Sequence, residues 1–146
     1  MNTARSLFVL SATPVAAVAL LATAAPATAE GKFATIYSLT QGACFAQVDS
    51  SVNGDAYPSS AAFTVSTTMF GIGPCTLPVT LNWRNLATGA TGSFTVTANG
   101  PGYWSNSSYS AIFQPGIGDF TSTVTIGAAH MPEPGNREFT VHKYQP

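Results

Sequence analysis

Charged side chains are scarce in this sequence: Asp, Glu, Lys and Arg make up 8% of its 146 residues, and the formal net charge is −1. No basic patch is present, so the electrostatic footprint of nucleic-acid binding is missing and we expect no nucleic-acid partner. Only two histidines occur, His130 and His142, and no serine lies in a G-x-S-x-G motif. The sequence therefore predicts no catalytic residues and a protein that is not an enzyme.

Metal ligands are equally sparse. His130, Glu133 and Glu138 cluster near the last predicted turn, but no H-E-x-x-H or similar spacing accompanies them. Three such groups in a Pro-Gly loop are typical of solvated side chains, so we expect no metal and no cofactor. We expect His142 on the outward face of the last strand with Glu138 and Thr140, in an exposed cross-strand contact.

The N-terminal region differs from the rest of the chain. A positive start containing Arg5 precedes the apolar residues 7–21, and a small-residue stretch ends in Ala27-Thr28-Ala29. This order is typical of a secretory signal with an A-x-A cleavage site. We predict a signal peptide over residues 1–29 and one domain over residues 30–146.

An N-terminal membrane anchor is the alternative for the same segment. The apolar stretch contains Pro14 and several threonines, and it falls short of the roughly 20 strongly apolar residues of a spanning helix. We therefore expect cleavage, no transmembrane span afterwards, and a protein secreted to the cell envelope or the extracellular space.

Cys44 and Cys75 are the only cysteines. Export places them in an oxidising compartment, and their even number favours one disulfide bond. A metal pair or a catalytic thiol is the alternative, but there is no C-x-x-C motif and neither cysteine has a nearby histidine.

Period-two alternation of apolar residues recurs along residues 30–146, without the i, i+3, i+4, i+7 spacing of an amphipathic helix. Turn signals lie between these runs, at residues 53–55, 71–74, 88–89, 99–102, 115–116 and 132–136. Residues 86–92 are predicted to form the tip of a hairpin. We expect seven or eight short antiparallel strands, at residues 61–69, 77–84, 93–98, 120–126 and 137–143, with weaker candidates at 33–39, 44–48 and 108–113.

A secreted chain with about eight alternating strands and Trp83 inside one of them resembles immunoglobulin-like β-sandwiches. This resemblance implies two packed antiparallel sheets. Trp83 follows both cysteines, so the usual packing of a disulfide between the sheets against this tryptophan is not implied. The alanine-rich signal and residues 83–92 are also similar to small exported actinobacterial proteins of uncharacterised function, which implies an envelope or culture-fluid setting and no activity.

The loop at residues 99–106 places Tyr103 and Trp104 among Gly, Pro and small polar residues. This composition is common at recognition tips on rigid sandwiches, so both aromatics are candidate recognition residues. The alternative is that Trp104 folds back and caps the core. The next residues, Asn106-Ser107-Ser108, match the N-glycosylation pattern.

Our main hypothesis is a secreted, non-enzymatic binding or structural module of the bacterial envelope or extracellular space. Its partner would be an envelope glycan, a protein or a small apolar ligand, and we expect a monomer. One alternative is a carrier of an apolar small molecule in a sandwich cleft, similar to secreted actinobacterial apoproteins that hold a chromophore. Another is a small hydrolase whose catalytic residues are dispersed along the chain.

Overall fold

The computed structural model describes residues 31–146, which are mostly extended chain. The predicted signal peptide, residues 1–29, lies outside the described residues. The elements follow in the order β1 (Ile36–Leu39), β2 (Gln41–Tyr57), β3 (Ser60–Asn85), β4 (Thr91–Gly100), β5 (Gly102–Ser105), a 3₁₀ turn (Tyr109–Ala111), β6 (Ile112–Phe113), β7 (Gly118–Ile126), β8 (His130–Met131) and β9 (Asn136–Val141).

All strand pairs are antiparallel and belong to one hydrogen-bonded sheet, which confirms the all-β prediction. The main path through the sheet is β8-β1-β2-β3-β7-β9, and β4, β5 and β6 also pair with β3. Within residues 31–146, no helix is long and apolar enough to cross a membrane.

Strand β3 organises the sheet because its two ends have different neighbours. Its beginning pairs with β2, β5 and β6, whereas its end pairs with β4 and β7. We call the group β8, β1, β2, β5, β6 and the beginning of β3 the first half of the sheet. The second half contains the end of β3 with β4, β7 and β9.

The buried side chains of both halves form one hydrophobic cluster. Along β2 and β3, burial alternates with period two, as side chains that point to opposite faces of a strand require. The largest fully buried side chains are aromatic and aliphatic, and burying each of them stabilises the fold by about 1.5–3 kcal/mol. They include Phe33, Phe63, Phe120, Leu77 and Leu81.

Two predicted turns are wrong. Residues 71–74 lie inside β3, and residues 53–55 lie inside β2, which runs on to Tyr57. The observed reversal is the two-residue connection Pro58-Ser59 between the paired residues Tyr57 and Ser60. A Cβ at Gly71 would lie 2.7 Å from Cys44 Sγ, so this glycine permits a close approach between strands, where the sequence suggested a turn.

The hairpin predicted at residues 86–92 is confirmed, but its tip is shorter than predicted: residues 91 and 92 belong to β4, which pairs with β3 from Arg84 and Thr91 onward. Asn85 stabilises the connection. Its side-chain oxygen accepts hydrogen bonds from the backbone N–H groups of Ala87 and Thr88, both at 3.0 Å. An asparagine that bonds to the backbone two residues later is a common turn device.

The predicted disulfide bond is also confirmed. It joins Cys44 in β2 to Cys75 in β3, with 6.1 Å between the Cα atoms. Both cysteines are buried, and they lie next to the register shift between Gln41 and Ala43. The cross-link therefore fixes β2 to β3 where the regular pairing of these strands is interrupted.

Candidate functional site

The outer surface of the first half carries large apolar side chains exposed to solvent. Their exposed fractions range from 42% for Tyr37 to 87% for Ile72. We call this set the outer apolar face; it consists of Tyr37, Leu39, Phe45, Phe70, Ile72, Tyr103 and Met131.

Strand register arranges these side chains in rows across the sheet. In the first row, residues of β8, β1, β2, β3 and β5 stand side by side: Met131, Tyr37, Gln47, Thr68 and Tyr103. The second row contains Leu39, Phe45 and Phe70, and the third contains Ala43 and Ile72. Five strands at their usual spacing make this surface about 20 Å wide.

Local packing joins the rows. The rings of Tyr37 and Phe45 are stacked, with centroids 6.0 Å apart and planes within 6° of parallel. Charged side chains lie only beyond the first row. There the carboxylate of Asp49 accepts a hydrogen bond from Thr35, and one of its oxygens lies 3.7 Å from Lys32 Nζ. The outer apolar face is thus an uncharged surface with a polar border at one end.

The structure separates the two residues that the sequence suggested for recognition. Residues 102–105 form β5, so Tyr103 and Trp104 point to opposite sides of a strand. Tyr103 is 73% exposed and belongs to the outer apolar face, whereas Trp104 packs against the core. The remaining members of the face were not identified from the sequence.

Asn106 holds the end of β5 against β3. Its side chain accepts a hydrogen bond from the backbone N–H of Val65 at 2.9 Å and donates one to the carbonyl of Phe63 at 2.8 Å. The amide nitrogen that an N-linked glycan would modify therefore already donates a hydrogen bond to the backbone of β3.

A second polar feature lies where the chain end meets β2. The carboxylate of Asp55 accepts hydrogen bonds from the backbone N–H of His142, at 2.7 Å, and from the ring Nδ1, at 2.5 Å. Such a contact orients the imidazole in catalytic triads. Within residues 31–146, no hydroxyl forms a hydrogen bond with Nε2 of His142.

The three groups near the last predicted turn do not come together. His130 Nε2 lies 3.8 Å from a carboxylate oxygen of Glu133, and His130 Nδ1 contacts the carbonyl of Ala128 at 2.8 Å. Glu138 lies on β9. In the part of the chain that the structure describes, no group of three or more His, Cys, Asp or Glu side chains is arranged to hold a metal ion.

The Asp55–His142 contact predicts a pH-dependent contribution to stability. The hydrogen bond that the His142 ring donates to Asp55, followed by the negative charge of Asp55, raises the pKa of His142 above the usual 6.5. The hydrogen bonds from the side chain and backbone of His142 lower the pKa of Asp55 below 3.8. The stabilisation of the fold by protonated His142 is complete below pH 6.5 and is lost as the pH rises through the raised pKa of this residue. The stabilisation by ionised Asp55 is lost only in strong acid, as the pH falls through its lowered pKa.

We therefore expect His142→Gln to lower the melting temperature more at pH 5 than at pH 8.5. Thermal unfolding followed by circular dichroism at the two pH values measures the difference. In an Asp55→Asn background, the pH dependence of the same substitution should shrink, because only the charge of Asp119 then raises the pKa of His142. If His142→Gln lowered the melting temperature equally at pH 5 and 8.5 in the wild-type background, the Asp55–His142 contact would not make a pH-dependent contribution to stability.

Comparison with protein-family models, with curated proteins and with solved structures finds no match for this chain.

Proposed function

We propose that the chain is a secreted, non-enzymatic binding or structural module of the bacterial envelope or extracellular space, and that it contacts its partner through the outer apolar face. The observation that carries this proposal is the arrangement of seven exposed apolar side chains on adjacent strands of one sheet. Large exposed apolar patches with polar borders mark binding surfaces in soluble proteins.

Export is supported by the signal-like N-terminus and by the disulfide bond between Cys44 and Cys75. The proposed architecture is an immunoglobulin-like β-sandwich, in which the two halves of the sheet form the two layers. Its support is the single core shared by both halves. Strand β3 would then pass from one layer to the other.

The packing of the protein interior gives less support to the alternative function, a carrier of an apolar small molecule. A carrier needs an apolar cleft between the layers, but large side chains such as Phe33, Phe63 and Phe120 are fully buried there. A binding surface needs no internal space. The outer apolar face therefore supports surface contact over enclosure of a ligand.

Replacing Tyr103 by serine should weaken binding to envelope material by about tenfold or more, because exposed tyrosine side chains are among those that contribute most of the energy of many interfaces. The test is co-sedimentation of the mature domain with purified cell-wall glycan, and surface plasmon resonance against fractionated exported proteins. The exposed Tyr103 side chain contributes little to the core, so folding should be retained.

Tyr109→Ser is the matched control, since Tyr109 is 84% exposed in the 3₁₀ turn and is not part of the outer apolar face. It should bind as the wild type does. If Tyr103→Ser and a second variant, Phe45→Ser, both bind with unchanged affinity, the outer apolar face is not the recognition surface.

A further inference from the structure

The area of the outer apolar face is unusual for a monomer. Its exposed fractions run from 42% to 87%, and with about 200 Å² for each large side chain the seven expose on the order of 800 Å². The largest apolar patch of a typical monomer covers about 300–600 Å². About 800 Å² per partner is the area buried in a standard protein–protein interface.

The composition of the face resembles the centre of a protein interface. Aromatic residues and methionine are enriched in such centres and charged residues are depleted. The face contains Tyr, Phe and Met side chains and no charged member. Aliphatic side chains complete it, with Ile72 the most exposed.

We propose that the partner of this face is a second copy of the chain, bound through the same face about a two-fold axis. This inference rests on the proposed function, because it names a protein partner of the surface described there; the second copy and envelope material would compete for the same face. In a two-fold interface each surface meets its own copy, so a charged patch would face like charges. The uncharged outer apolar face avoids this repulsion.

The shape of the face also suits a second copy. Two sheet faces pack against each other about 10 Å apart when their side chains interdigitate. The second row, containing Phe45 and Phe70, lies between the two other rows and would be near the axis. The resulting dimer departs from the monomer expected from the sequence.

The test is sedimentation equilibrium of the mature, disulfide-bonded chain from about 1 to 100 µM. We expect the average mass to rise towards that of a dimer with increasing concentration. Phe70→Lys should raise the dissociation constant by at least about 30-fold, the effect of losing a central interface residue. Thr97→Lys is the control: it adds the same charge at an exposed position of β4, in the second half of the sheet, and should associate as the wild type does.

Ile72→Lys provides a second variant, because a side chain that is 87% exposed is not needed for folding. Circular dichroism establishes that each variant is folded. A wild-type chain that stays monomeric up to 100 µM, or a dimer that both variants leave unchanged, would overturn the inference. In either case, loss of envelope binding by Tyr103→Ser would still support the proposed function, so the two proposals fail separately.

Discussion

Replacing both Cys44 and Cys75 by alanine should lower the free energy of unfolding by about 3–4 kcal/mol. The two cysteines are 31 residues apart, and a cross-link over a loop of this length removes that much conformational freedom from the unfolded chain in the loop-entropy model. A small domain is stable by about 5–15 kcal/mol in total. The double variant should therefore lose a large share of its stability.

Urea unfolding monitored by tryptophan fluorescence measures this loss. Alanine suits the test because both positions are buried, at 7% and 2% exposure, and a serine hydroxyl there would need a partner. Reduced wild-type protein is the control, since it loses the cross-link without losing side-chain volume. If the double variant and the reduced protein both unfold with the free energy of the oxidised wild type, the β2–β3 pairing is held without the disulfide.

The strands that bury one face were predictable from the sequence. In β7, Phe120, Val124 and Ile126 are buried as expected. Ser122, the polar member of this face, is also buried, and its hydroxyl donates a hydrogen bond to the carbonyl of Arg137 at 2.8 Å. Alternation of apolar and polar residues was sufficient to predict this strand and its buried face, because one face of the strand packs on the core and the other faces water.

Strand lengths were less predictable because glycine has more than one structural role. Gly71 and Gly73 suggested a turn, but β3 continues through both. Gly71 is needed where β2 and the disulfide come close, and Gly73 has a positive φ of 78° in the irregular part of the strand. A glycine at a close contact and a glycine at a chain reversal look alike in a sequence.

The candidate site was predictable only at Tyr103. The segments containing Tyr37, Leu39 and Phe45 gave weak predictions, because apolar residues occupy both of their alternating faces. The structure explains this pattern: Ile36, Ala46 and Val48 are buried, while their neighbours form the outer apolar face. Apolar residues on both faces of these segments were the one sequence pattern that indicated an exposed apolar surface. The sequence could not show that the segments lie side by side, because the register that joins β8, β1, β2, β3 and β5 depends on contacts between distant parts of the chain.

Phe120→Ala should lower the free energy of unfolding by about 3–5 kcal/mol, the usual cost of removing a buried phenylalanine side chain. Phe120 is 1% exposed. Its ring stacks on Phe139 of the neighbouring strand, with centroids 5.0 Å apart and planes within 11°. The substitution would leave a cavity between β7 and β9 and remove the aromatic contact that joins them.

Phe120→Leu separates the two contributions, because it retains most of the volume and loses only the stacked ring. It should cost about 1 kcal/mol, as volume-conserving core substitutions do. Tyr109→Ala is the surface control, since removal of an 84% exposed side chain should change stability by less than about 0.5 kcal/mol. Urea unfolding measures all three variants. If Phe120→Ala were no more destabilising than Tyr109→Ala, the ring pair would not belong to the core, and β9 would have to be held by its backbone pairing with β7 alone.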